Sequence, residues 1–426
     1  MKQIDIKINE LGAIRDSSLK LKPLMLFSGE SGLGKSYAAF LIHYLYYLLS
    51  ESGDRLELFF RDYNYNFESI LDNAQSGSQI LTIPKKEVFD WLNKDAISYI
   101  GYLIGREDFS GSVEIGIPCD YDDFIFTYRE ELGGLQGQED MMYQIELSHF
   151  SYNILSSKFE KNSRPFMLLL KAELKDILFG DYKDMGYTYL LPPSRGALME
   201  INERPSFLSG MYQEFYDFKK VLNAPMQRPE TVNQDIIECC VSVNEGSLSR
   251  VEGRIMYNKH GIVMPLTAAA SSIKELAPLT LFLNRYSAKS VSFLFEEPEA
   301  HLHPNRQMKL ADMISCMIND GAHMQITTHS DYLIKRLNNL INLYQLKDVI
   351  DGETYNTLLQ KWGIKEVFLL NPQNVGAYVM KREENGTSRI IEQNVVKDKE
   401  ISFESFYSVI EDDMELTREI RKYLEL

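Results

Sequence analysis

Cysteine is scarce in this sequence of 426 residues, and the cysteines are not arranged for metal binding. They stand at positions 119, 239, 240 and 316 and include no C-x-x-C pair. This pattern indicates neither a zinc site nor a disulfide framework, and it is typical of proteins in a reducing compartment. We therefore expect a cytoplasmic protein.

Long apolar segments and sequence repeats are missing as well. The chain begins with the polar run M-K-Q-I-D, which is no signal peptide, and no apolar run is long enough to span a bilayer. We therefore expect no association with a membrane. No internal repeat and no run of heptads is visible, which argues against a long coiled coil within the chain.

Basic residues are outnumbered in this chain. Lys and Arg number 45 against 61 Asp and Glu, which gives a formal net charge of −16 and an isoelectric point near 5.0. Broad, sequence-independent binding of nucleic acid needs many Lys and Arg contacts to phosphates, so the composition argues against it. A local basic groove stays compatible with this charge.

The rest of the composition is that of a folded, soluble protein, with 44% hydrophobic and 25% charged residues. A chain of this length exceeds one ordinary hydrophobic core. The sequence therefore predicts one large head with an insertion, or two domains.

The stretch G-E-S-G-L-G-K-S at residues 29–36 fits the phosphate-binding pattern G-x-x-x-x-G-K-[ST] at every fixed position. Glycines let backbone N–H groups surround the phosphates, Lys35 reaches the terminal phosphates, and Ser36 offers its hydroxyl to Mg²⁺. The candidate nucleotide-binding residues of this loop are Gly29, Glu30, Ser31, Gly32, Leu33, Gly34, Lys35 and Ser36.

The flanks of the loop support this interpretation. An apolar strand is predicted at residues 23–27 and an apolar helix at 37–49, so a chance glycine turn is the weaker alternative. Alternating Ile and Leu within residues 4–21 predict two antiparallel strands. Arg15, in the turn between these strands, is either a nucleotide contact or a solvated surface side chain.

The region 51–185 has the least regular pattern. The prediction comprises strands at 56–60, 112–117 and 124–128, and helices at 86–93, 139–159 and 165–178. Asn93-Lys94-Asp95 differs from the guanine-reading pattern N-K-x-D because its Asp comes one place early, which disfavours a GTPase.

A compact strand at 187–191 ends in P-P-S-R-G, where the prolines stop the strand and hold a loop. Arg195 in this loop has two interpretations: it reaches a phosphate or the adjoining lobe, or it pairs with the carboxylate of Glu200 or Glu203.

A hairpin is predicted at 251–266, and a helix follows it. The spacing S-x-x-E from Ser272 to Glu275 predicts a capping box at the start of that helix. The same helix N-terminus, which begins with A-A-S-S, is a second candidate anion site.

The apolar strand at 291–295 ends in Glu296-Glu297-Pro298. Such strands are typical of parallel sheets, which bind ligands at the carboxyl ends of their strands. We expect Glu296 to hold Mg²⁺ and Glu297 to polarise the attacking water. The alternative, two surface glutamates after a buried strand, is disfavoured by the phosphate loop.

Histidines follow on the next elements. His329 comes directly after a strand predicted at 324–328, one β-α-β step further on, where it stabilises the terminal phosphate or is merely structural. His301 and His303 have no cysteine nearby, so a transition-metal site is disfavoured.

The C-terminal part is predicted to contain strands at 366–370 and 376–380 and then amphipathic helices. Packing of their apolar face on the head is favoured over a partner surface. That face comprises Phe403, Phe406, Ile410, Leu416, Ile420 and Leu424.

Together these motifs resemble the ABC-type ATPase heads of the SMC/RecF group, and most closely the ATPases of the overcoming-lysogenisation-defect (OLD) family and its relatives in bacterial defence systems. The motifs that carry the resemblance are G-E-S-G-L-G-K-S at 29–36, L-P-P-S-R at 191–195, A-S-S-I-K-E-L at 270–276, F-L-F-E-E-P-E-A-H-L-H-P at 293–304 and I-T-T-H-S at 326–330. They leave residues 51–185 uncovered.

The resemblance implies an α/β fold, an ABC-type P-loop ATPase head with a mixed or antiparallel β lobe and a mostly helical insertion. Residues 1–50 and 186–426 would form the head. Residues 51–185 would continue the β lobe and add the insertion.

The resemblance also implies roles for individual residues. Lys35 and Ser36 would contact ATP, Glu296 would hold magnesium, Glu297 would be the catalytic base, and His329 would be the switch histidine. Two further nucleotide contacts are implied, Ser271 to ATP held by a second subunit and Arg195 from a loop beside the nucleotide.

The sequence departs from the family pattern at three positions. Glu296 replaces the usual Asp. Ser272 replaces a glycine of the family's signature motif, which corresponds to A-S-S-I-K-E-L here, and His303 stands where transporter-type heads carry an Asp. The first two departures are expected to slow hydrolysis.

The function implied by the resemblance is an Mg²⁺-dependent ATPase that forms homo-oligomers built on ATP-sandwich dimers. The tail after His329 offers no glutamate strand followed by a D-x-D strand, so no Toprim nuclease is expected there. A separately encoded effector, either a nuclease or a toxin, would be the partner, as in the PARIS (AriA) or Septu (PtuA) systems, with a phage-derived trigger.

Two alternative functions belong to other classes. A DNA-repair or DNA-handling head would bind duplex DNA across its dimer, which the acidic charge disfavours. The nucleotide-binding subunit of a transporter is disfavoured by the irregular signature and the size of the insertion.

Overall fold

A large mixed β-sheet forms the centre of the molecule. The computed structural model describes residues 4–51, 54–72, 77–116, 119–133, 140–158, 161–180, 185–201, 210–224, 232–395, 400–402 and 404–423. In spatial order, the strands of the large sheet are β5 (Gly111–Gly116), β1 (Asp5–Leu11), β2 (Ile14–Lys20), β16 (Ser388–Gln393), β15 (Val375–Arg382), β3 (Leu24–Gly29), β14 (His323–Thr327), β13 (Val291–Glu296) and β9 (Tyr187–Leu191).

Strands β15, β3, β14, β13 and β9 run parallel to one another. Almost every residue of β3, β13 and β14 is buried, as expected for parallel strands covered on both faces. The predicted strands at 23–27, 291–295 and 324–328 are confirmed. Because these strands are parallel neighbours, their carboxyl ends meet at one edge of the sheet.

The other half of the large sheet is mostly antiparallel. Strands β1 and β2 form the predicted hairpin, with Ile6 opposite Leu19, and β5 from the region 51–185 pairs with β1. Strand β16 pairs antiparallel with β15 and parallel with β2, so it joins the two halves of the sheet. The fold is therefore mixed α/β, as predicted.

Helices cover both faces of this sheet. They are α1 (Lys35–Leu49), α2 (Leu56–Asp62), α3 (Phe67–Asp72), α4 (Lys85–Ile104), α5 (Arg164–Phe179), α6 (Arg195–Glu200), α7 (Gly210–Asn223), α8 (Gln234–Asn244), α9 (Ser271–Leu283), α10 (Pro304–Asn319), α11 (Asp331–Leu346), α12 (Gly352–Trp362) and α13 (Glu404–Tyr423). One hydrophobic core contains α1, α4 and α5, and a second contains α7 to α11. None of the described helices combines the length and apolar character that a bilayer crossing requires.

A second, antiparallel sheet lies within residues 51–185. Its strands, in spatial order, are β4 (Gln79–Pro84), β6 (Asp123–Gly133), β7 (Asp140–Leu147) and β8 (Phe150–Leu155). The helix predicted at 139–159 is wrong, since β7 and β8 form a hairpin there. The buried residues of β7 are Tyr143, Ile145 and Leu147, and they follow the period of two that is typical of a strand.

The strand predicted at 56–60 is also wrong. Residues Leu56, Phe59 and Phe60 are buried on one side of α2, which is the i, i+3, i+4 spacing of a helix. The region therefore contributes helices together with more β-structure than the sequence suggested.

A small antiparallel sheet and a 3₁₀ turn pack against the second core. Strands β10 (Ser247–Val251), β11 (Arg254–Lys259) and β12 (Ile262–Pro265) form a small antiparallel sheet, which confirms the hairpin predicted at 251–266. The strand predicted at 366–370 is wrong, because Glu366–Phe368 forms a single 3₁₀ turn.

The apolar side of α13 is exposed where its side chains are described. Met414, Leu416 and Ile420 are each about half exposed, at 56%, 54% and 49%. The packing predicted for this face is therefore not found at Leu416 and Ile420. Phe403 and Leu424, and the side chains of Phe406 and Ile410, lie outside the described residues.

A buried histidine on β14 makes stability depend on pH. The rings of His323, Tyr46 and Phe179 form a cluster in which each contacts the other two, with 3.1 Å between His323 Nδ1 and the Tyr46 hydroxyl oxygen. Burial lowers the pKa of His323 to about 4. The unfolded chain binds this proton near pH ~6.5, so the free energy of unfolding falls as the pH drops from neutral towards 4.

We expect His323→Phe to remove this pH dependence. The lost contribution at low pH is up to about 3 kcal/mol, since one pKa unit corresponds to about 1.4 kcal/mol. Urea unfolding at pH 7 and pH 5 measures it, with the exposed His260→Asn as a control that keeps the original difference. An unchanged difference in His323→Phe would contradict the assignment.

Candidate nucleotide site at the edge of the parallel strands

The phosphate loop joins β3 to α1 in a conformation that depends on glycine. The φ angles of Gly29, Gly32 and Gly34 are +120°, +78° and +97°. A Cβ on Gly29 would lie 2.7 Å from the Met380 carbonyl oxygen, so no larger residue fits there. The glycine-dependent loop thus leads directly into the N-terminus of α1, where the helix dipole and the free N–H groups favour an anion.

Lys35 points its ammonium group into this loop. Nζ donates to the carbonyl oxygens of Gly29 at 2.9 Å and Glu30 at 2.7 Å, and the side chain is largely buried. Burial lowers the pKa of Lys35, while nearby carboxylates, first of all that of Glu297, favour the charged form. A phosphate group in the loop would offer this ammonium a stronger acceptor than the carbonyls.

Glu296, the last residue of β13, lies beside the first turn of α1. The residue is only 3% exposed, and burial raises the pKa of Glu296 to about 7. Its carboxylate lies close enough to the Ser36 hydroxyl for that group to act against this rise in pKa. A hydroxyl and a carboxylate are hard oxygen donors of the kind that Mg²⁺ prefers, so the pair fits this metal. Among the described residues, no group of three or more His, Cys, Asp and Glu side chains is arranged to hold a metal.

Glu297 follows in an unusual backbone conformation, with φ +43°. Its N–H donates to the carbonyl oxygen of Thr327 on β14 at 3.0 Å, and this hydrogen bond attaches the turn after β13 to the end of β14. Its side chain is 48% exposed. The turn thus directs Glu297 away from the interior, whereas Glu296 points inward.

His329 lies between the phosphate loop and Glu297. Its Nε2 is 3.4 Å from the Ser31 hydroxyl oxygen and 4.0 Å from Glu297 Oε1. Burial lowers the pKa of His329, and repulsion by Lys35 adds to this effect. The structure therefore brings the loop, the acidic pair Glu296 and Glu297, and His329 to the same edge of the sheet.

A cleft of about 320 Å³ opens beside the loop. The residues of its wall include Gly29, Glu30, His329, Lys381 and Arg382. The last two, on β15, place positive charge next to the phosphate loop.

Glu299 belongs to this site although the sequence analysis gave it no role. Its Oε1 accepts from the His329 N–H at 2.7 Å and from the Thr328 hydroxyl at 2.8 Å. Burial raises the pKa of Glu299, although these hydrogen bonds stabilise its charge. The spacing E-E-P-E was visible in the sequence, but its partners were not.

We expect Glu299→Ala to lower turnover by about tenfold, because the Thr328 and His329 donors lose their acceptor and His329 loses its anchor. Glu299→Gln keeps an acceptor oxygen and should retain most activity. Steady-state ATPase assays on both variants test this expectation. Equal loss in both would instead indicate that the negative charge of Glu299 is required.

The structure does not place Arg195 at the nucleotide. Its guanidinium is fully buried and donates to main-chain carbonyl oxygens, including those of Glu275 at 2.9 Å and Glu296 at 2.8 Å. The assignment of Arg195 as a nucleotide contact is therefore corrected. The alternative was an ion pair of Arg195 with Glu200 or Glu203. Glu200 pairs with Lys274 instead, and Glu203 lies outside the described residues.

The start of α9 also differs from the prediction. Helix α9 is capped by Ala270 without a side-chain hydrogen bond, so the capping box is wrong. Ser272 instead turns inward, where its hydroxyl oxygen lies 2.6 Å from Arg306 Nη1. Ser271 is exposed at the helix N-terminus, where it faces solvent.

The remaining candidates from the sequence, Arg15, His301 and His303, take part in local contacts or turns. Arg15 pairs with Glu10 at 2.7 Å and donates to the carbonyl oxygen of Gly12. His303 is the N-cap of α10, and His301 is an exposed turn residue with φ +62°.

Part of the chain is similar to a known family of ATPase domains. Residues 149–334 match the sequence profile of the AAA ATPase domain. The matched span contains the acidic pair and His329 but ends before β15, and it excludes the phosphate loop. A comparison with curated protein sequences gives no significant match.

Solved structures of SMC heads are similar to this chain. The SMC head domain from Thermotoga maritima is 12% identical, with a TM-score of 0.33, covering 92% of this chain and all of its own. An SMC head bound to the C-terminal winged-helix domain of ScpA is 13% identical, with a TM-score of 0.37 and coverages of 92% and 96%. An SMC head with an extended coiled coil bound to the C-terminal domain of ScpA, derived from Pyrococcus furiosus, is 13% identical, with a TM-score of 0.36 and coverage of 99% of each chain.

The family profile and the arrangement of the site support the same conclusion. A phosphate loop after β3 and a carboxylate pair after β13 meet at one edge of the sheet, and the profile covers the second of these elements. The protein is an ATPase with a mixed α/β P-loop fold.

Proposed function

We propose that the protein hydrolyses ATP with Mg²⁺ at the site formed by the phosphate loop, the acidic pair and His329. The observation that carries this proposal is the convergence of Lys35, Glu296, Glu297 and His329, which come from widely separated parts of the sequence. Hydrolysis of a phosphoanhydride needs positioning and charge stabilisation more than covalent chemistry, and these residue types supply both.

Each residue of the site has a defined task in this proposal. Ser36 and Glu296 would hold Mg²⁺, which neutralises charge on the phosphates. Lys35 binds the terminal phosphates after leaving the carbonyls that it contacts here. Glu297, with its half-exposed carboxylate, orients a water molecule and accepts its proton.

His329 completes the site on the side of the terminal phosphate. Its lowered pKa keeps the imidazole neutral near pH 7, so it can donate one hydrogen bond without adding charge. Glu299 holds the backbone of His329 in place. These contacts make His329 a sensor of whether the terminal phosphate is present.

We further propose that two copies enclose ATP between the phosphate loop of one and the start of α9 of the other. Support comes from Ser271, which is exposed at a helix N-terminus and is therefore free to meet an anion on a second molecule. A complementation assay tests this arrangement with Lys35→Met and Ser271→Arg, each inactive alone.

Mixing the two variants should restore part of the ATPase activity. A mixed dimer contains one site with an intact phosphate loop from the Ser271→Arg copy and an intact Ser271 from the Lys35→Met copy. No recovery on mixing, with both variants folded and dimerising, would contradict the ATP sandwich.

The proposed biological role is a dimeric switch that controls a separately encoded effector, a nuclease or a toxin, in antiphage defence. The motif resemblance to defence ATPases and the net charge of −16, which suits a protein partner better than nucleic acid, support this role. Plaque assays test it in cells that carry the gene with its neighbouring reading frames. Protection should be lost with Lys35→Met, and absence of protection against a broad phage panel would contradict the role.

DNA handling is the alternative function, and the salt dependence of DNA binding distinguishes it from effector control. A DNA-binding head should bind duplex DNA with an affinity that falls steeply as salt rises, because each Lys or Arg contact releases counterions. We expect weak binding with a shallow salt dependence. A steep dependence in the ATP-bound protein would favour the DNA-handling function.

A further inference from the structure

Arg195 is a fully buried cation whose contacts join separate elements of the site. It begins α6 directly after β9, and its guanidinium lies 4.5 Å from the Phe295 ring centre on β13. Nη1 donates to the carbonyl oxygens of Pro192 at 3.0 Å and Glu296 at 2.8 Å, and Nη2 donates to that of Glu297 at 3.3 Å. The guanidinium thus holds the two peptide groups whose side chains form the acidic pair.

The same guanidinium holds α9. Nε donates to the Glu275 carbonyl oxygen at 2.9 Å, and the Glu275 carboxylate lies 3.6 Å away. Glu275 is four residues after Ser271, about 6 Å along the helix axis. A displacement of the α9 N-terminus is therefore transmitted to Arg195 within little more than one helical turn.

Helices α6 and α9 approach each other closely at Gly196. A Cβ on Gly196 would lie 2.9 Å from Glu275 Oε1 and 3.1 Å from the Glu275 backbone nitrogen. Because the two helices touch at this point, a shift of α9 displaces the start of α6 as well. This close approach is a second observation, independent of the hydrogen bonds of Arg195.

We propose that Arg195 is a positioning residue that couples the start of α9 to the backbone of Glu296 and Glu297. When a second copy brings its ATP to α9, the movement of that helix sets the orientation of the catalytic carboxylate. The inference rests on the proposed ATP-sandwich function and adds to it the route by which dimer formation switches hydrolysis on. Arg195 touches neither nucleotide nor water in this account.

Lys219 offers a matched control on the opposite end of α6. It is another largely buried cation, and its ammonium donates to the carbonyl oxygens of Leu198, Met199 and Ile201. These contacts stabilise the same short helix without reaching β13 or α9. Lys219→Met therefore reproduces the loss of a buried charge while leaving the proposed coupling in place.

The experiment measures ATPase turnover as a function of protein concentration, together with ATP affinity and thermal stability. In the unmodified protein, turnover per molecule should rise over the concentration range in which dimers form. Arg195→Met should keep ATP affinity within about threefold and lose this rise, with kcat lowered by about tenfold. Lys219→Met should lower the melting temperature comparably and keep the rise.

Glu275→Gln supplies a second variant that retains the buried guanidinium. It removes the ionic contact at 3.6 Å between the Glu275 carboxylate and the guanidinium but keeps the Glu275 carbonyl. It should therefore lower kcat and flatten the rise of turnover with concentration, each by a smaller factor than Arg195→Met, and its effect should not add to that of Arg195→Met. If Arg195→Met does not fold, the flattened concentration dependence of Glu275→Gln carries the test alone. A normal concentration dependence in Glu275→Gln would then overturn the coupling.

Two different failures can be told apart. If the unmodified protein shows turnover that is independent of its concentration, the ATP sandwich itself is wrong and the coupling falls with it. If the unmodified protein depends on concentration and Arg195→Met does so equally, the sandwich stands and the coupling is overturned. Equal effects of Arg195→Met and Lys219→Met on kcat would likewise reduce Arg195 to a structural residue.

Discussion

Lys35→Met is expected to abolish nucleotide binding and, with it, ATP hydrolysis. The substitution keeps most of the length of the side chain but removes the ammonium group that the phosphate loop encloses. Hydrogen bonds from a charged donor contribute about 1.5–3 kcal/mol each, so the loss of contacts to two phosphates weakens binding by about 100-fold or more. Equilibrium binding of a fluorescent ATP analogue measures this loss.

Lys171→Met is the matched control for that experiment. Lys171 is another largely buried lysine, and it donates to the Ser50 carbonyl oxygen at the opposite end of the same helix, α1. It should reduce thermal stability while leaving ATP affinity unchanged. Unaltered ATP binding by Lys35→Met would show that the phosphates bind elsewhere.

Glu297→Gln is expected to separate binding from turnover. The amide keeps the shape of the carboxylate but cannot accept the proton of the attacking water, and general base catalysis contributes about 10²–10⁴-fold to rate. ATP affinity should therefore stay near that of the unmodified protein while kcat falls by about that factor. The variant should also accumulate as an ATP-bound dimer in size-exclusion chromatography.

The exposed Glu383→Gln controls for the loss of one negative charge. Glu383 lies after β15, and its carboxylate is 3.8 Å from Arg389 Nε on β16. It should retain full turnover and form no trapped dimer. Hydrolysis by Glu297→Gln at the rate of the unmodified protein would show that another group is the base.

The phosphate loop and the acidic pair could be predicted because their signals are local. The loop has an obligatory sequence, and β3 and β13 are short apolar runs typical of buried strands. Strand β14 is less apolar but carries the β-branched residues Ile326 and Thr327. Parallel pairing then brings the residues after these strands to one edge. The placement of Glu297 and His329, with 4.0 Å between Glu297 Oε1 and His329 Nε2, follows from that rule.

The contacts of Arg195 and Glu299 could not be predicted in the same way. Arg195 bonds to main-chain carbonyl oxygens of Glu275 and Glu296, and a carbonyl carries no sequence signal. Glu299 bonds to the Thr328 hydroxyl and the His329 N–H, which become neighbours only when β13 and β14 pair. The sequence therefore showed that both side chains are charged, but it did not show which groups they hydrogen-bond.

The errors within residues 51–185 have a different physical cause. The segment of α2 is short and aromatic, and Phe and Tyr are as common in strands as in buried helices. In the hairpin of β7 and β8, the alternation of Tyr143, Ile145 and Leu147 competes with Glu and Met residues that favour helices. Pairing with β6 decides the outcome, and such tertiary contacts override local propensity.

The central claim is that Lys35, the acidic pair and His329 act on a single ATP. A structure of Glu297→Gln with bound Mg²⁺ and ATP tests it most directly. We predict a terminal phosphate within hydrogen-bond distance of Lys35 Nζ and His329 Nε2, with Mg²⁺ on Ser36 and Glu296. Nucleotide bound away from the phosphate loop, with these side chains unengaged, would contradict the account.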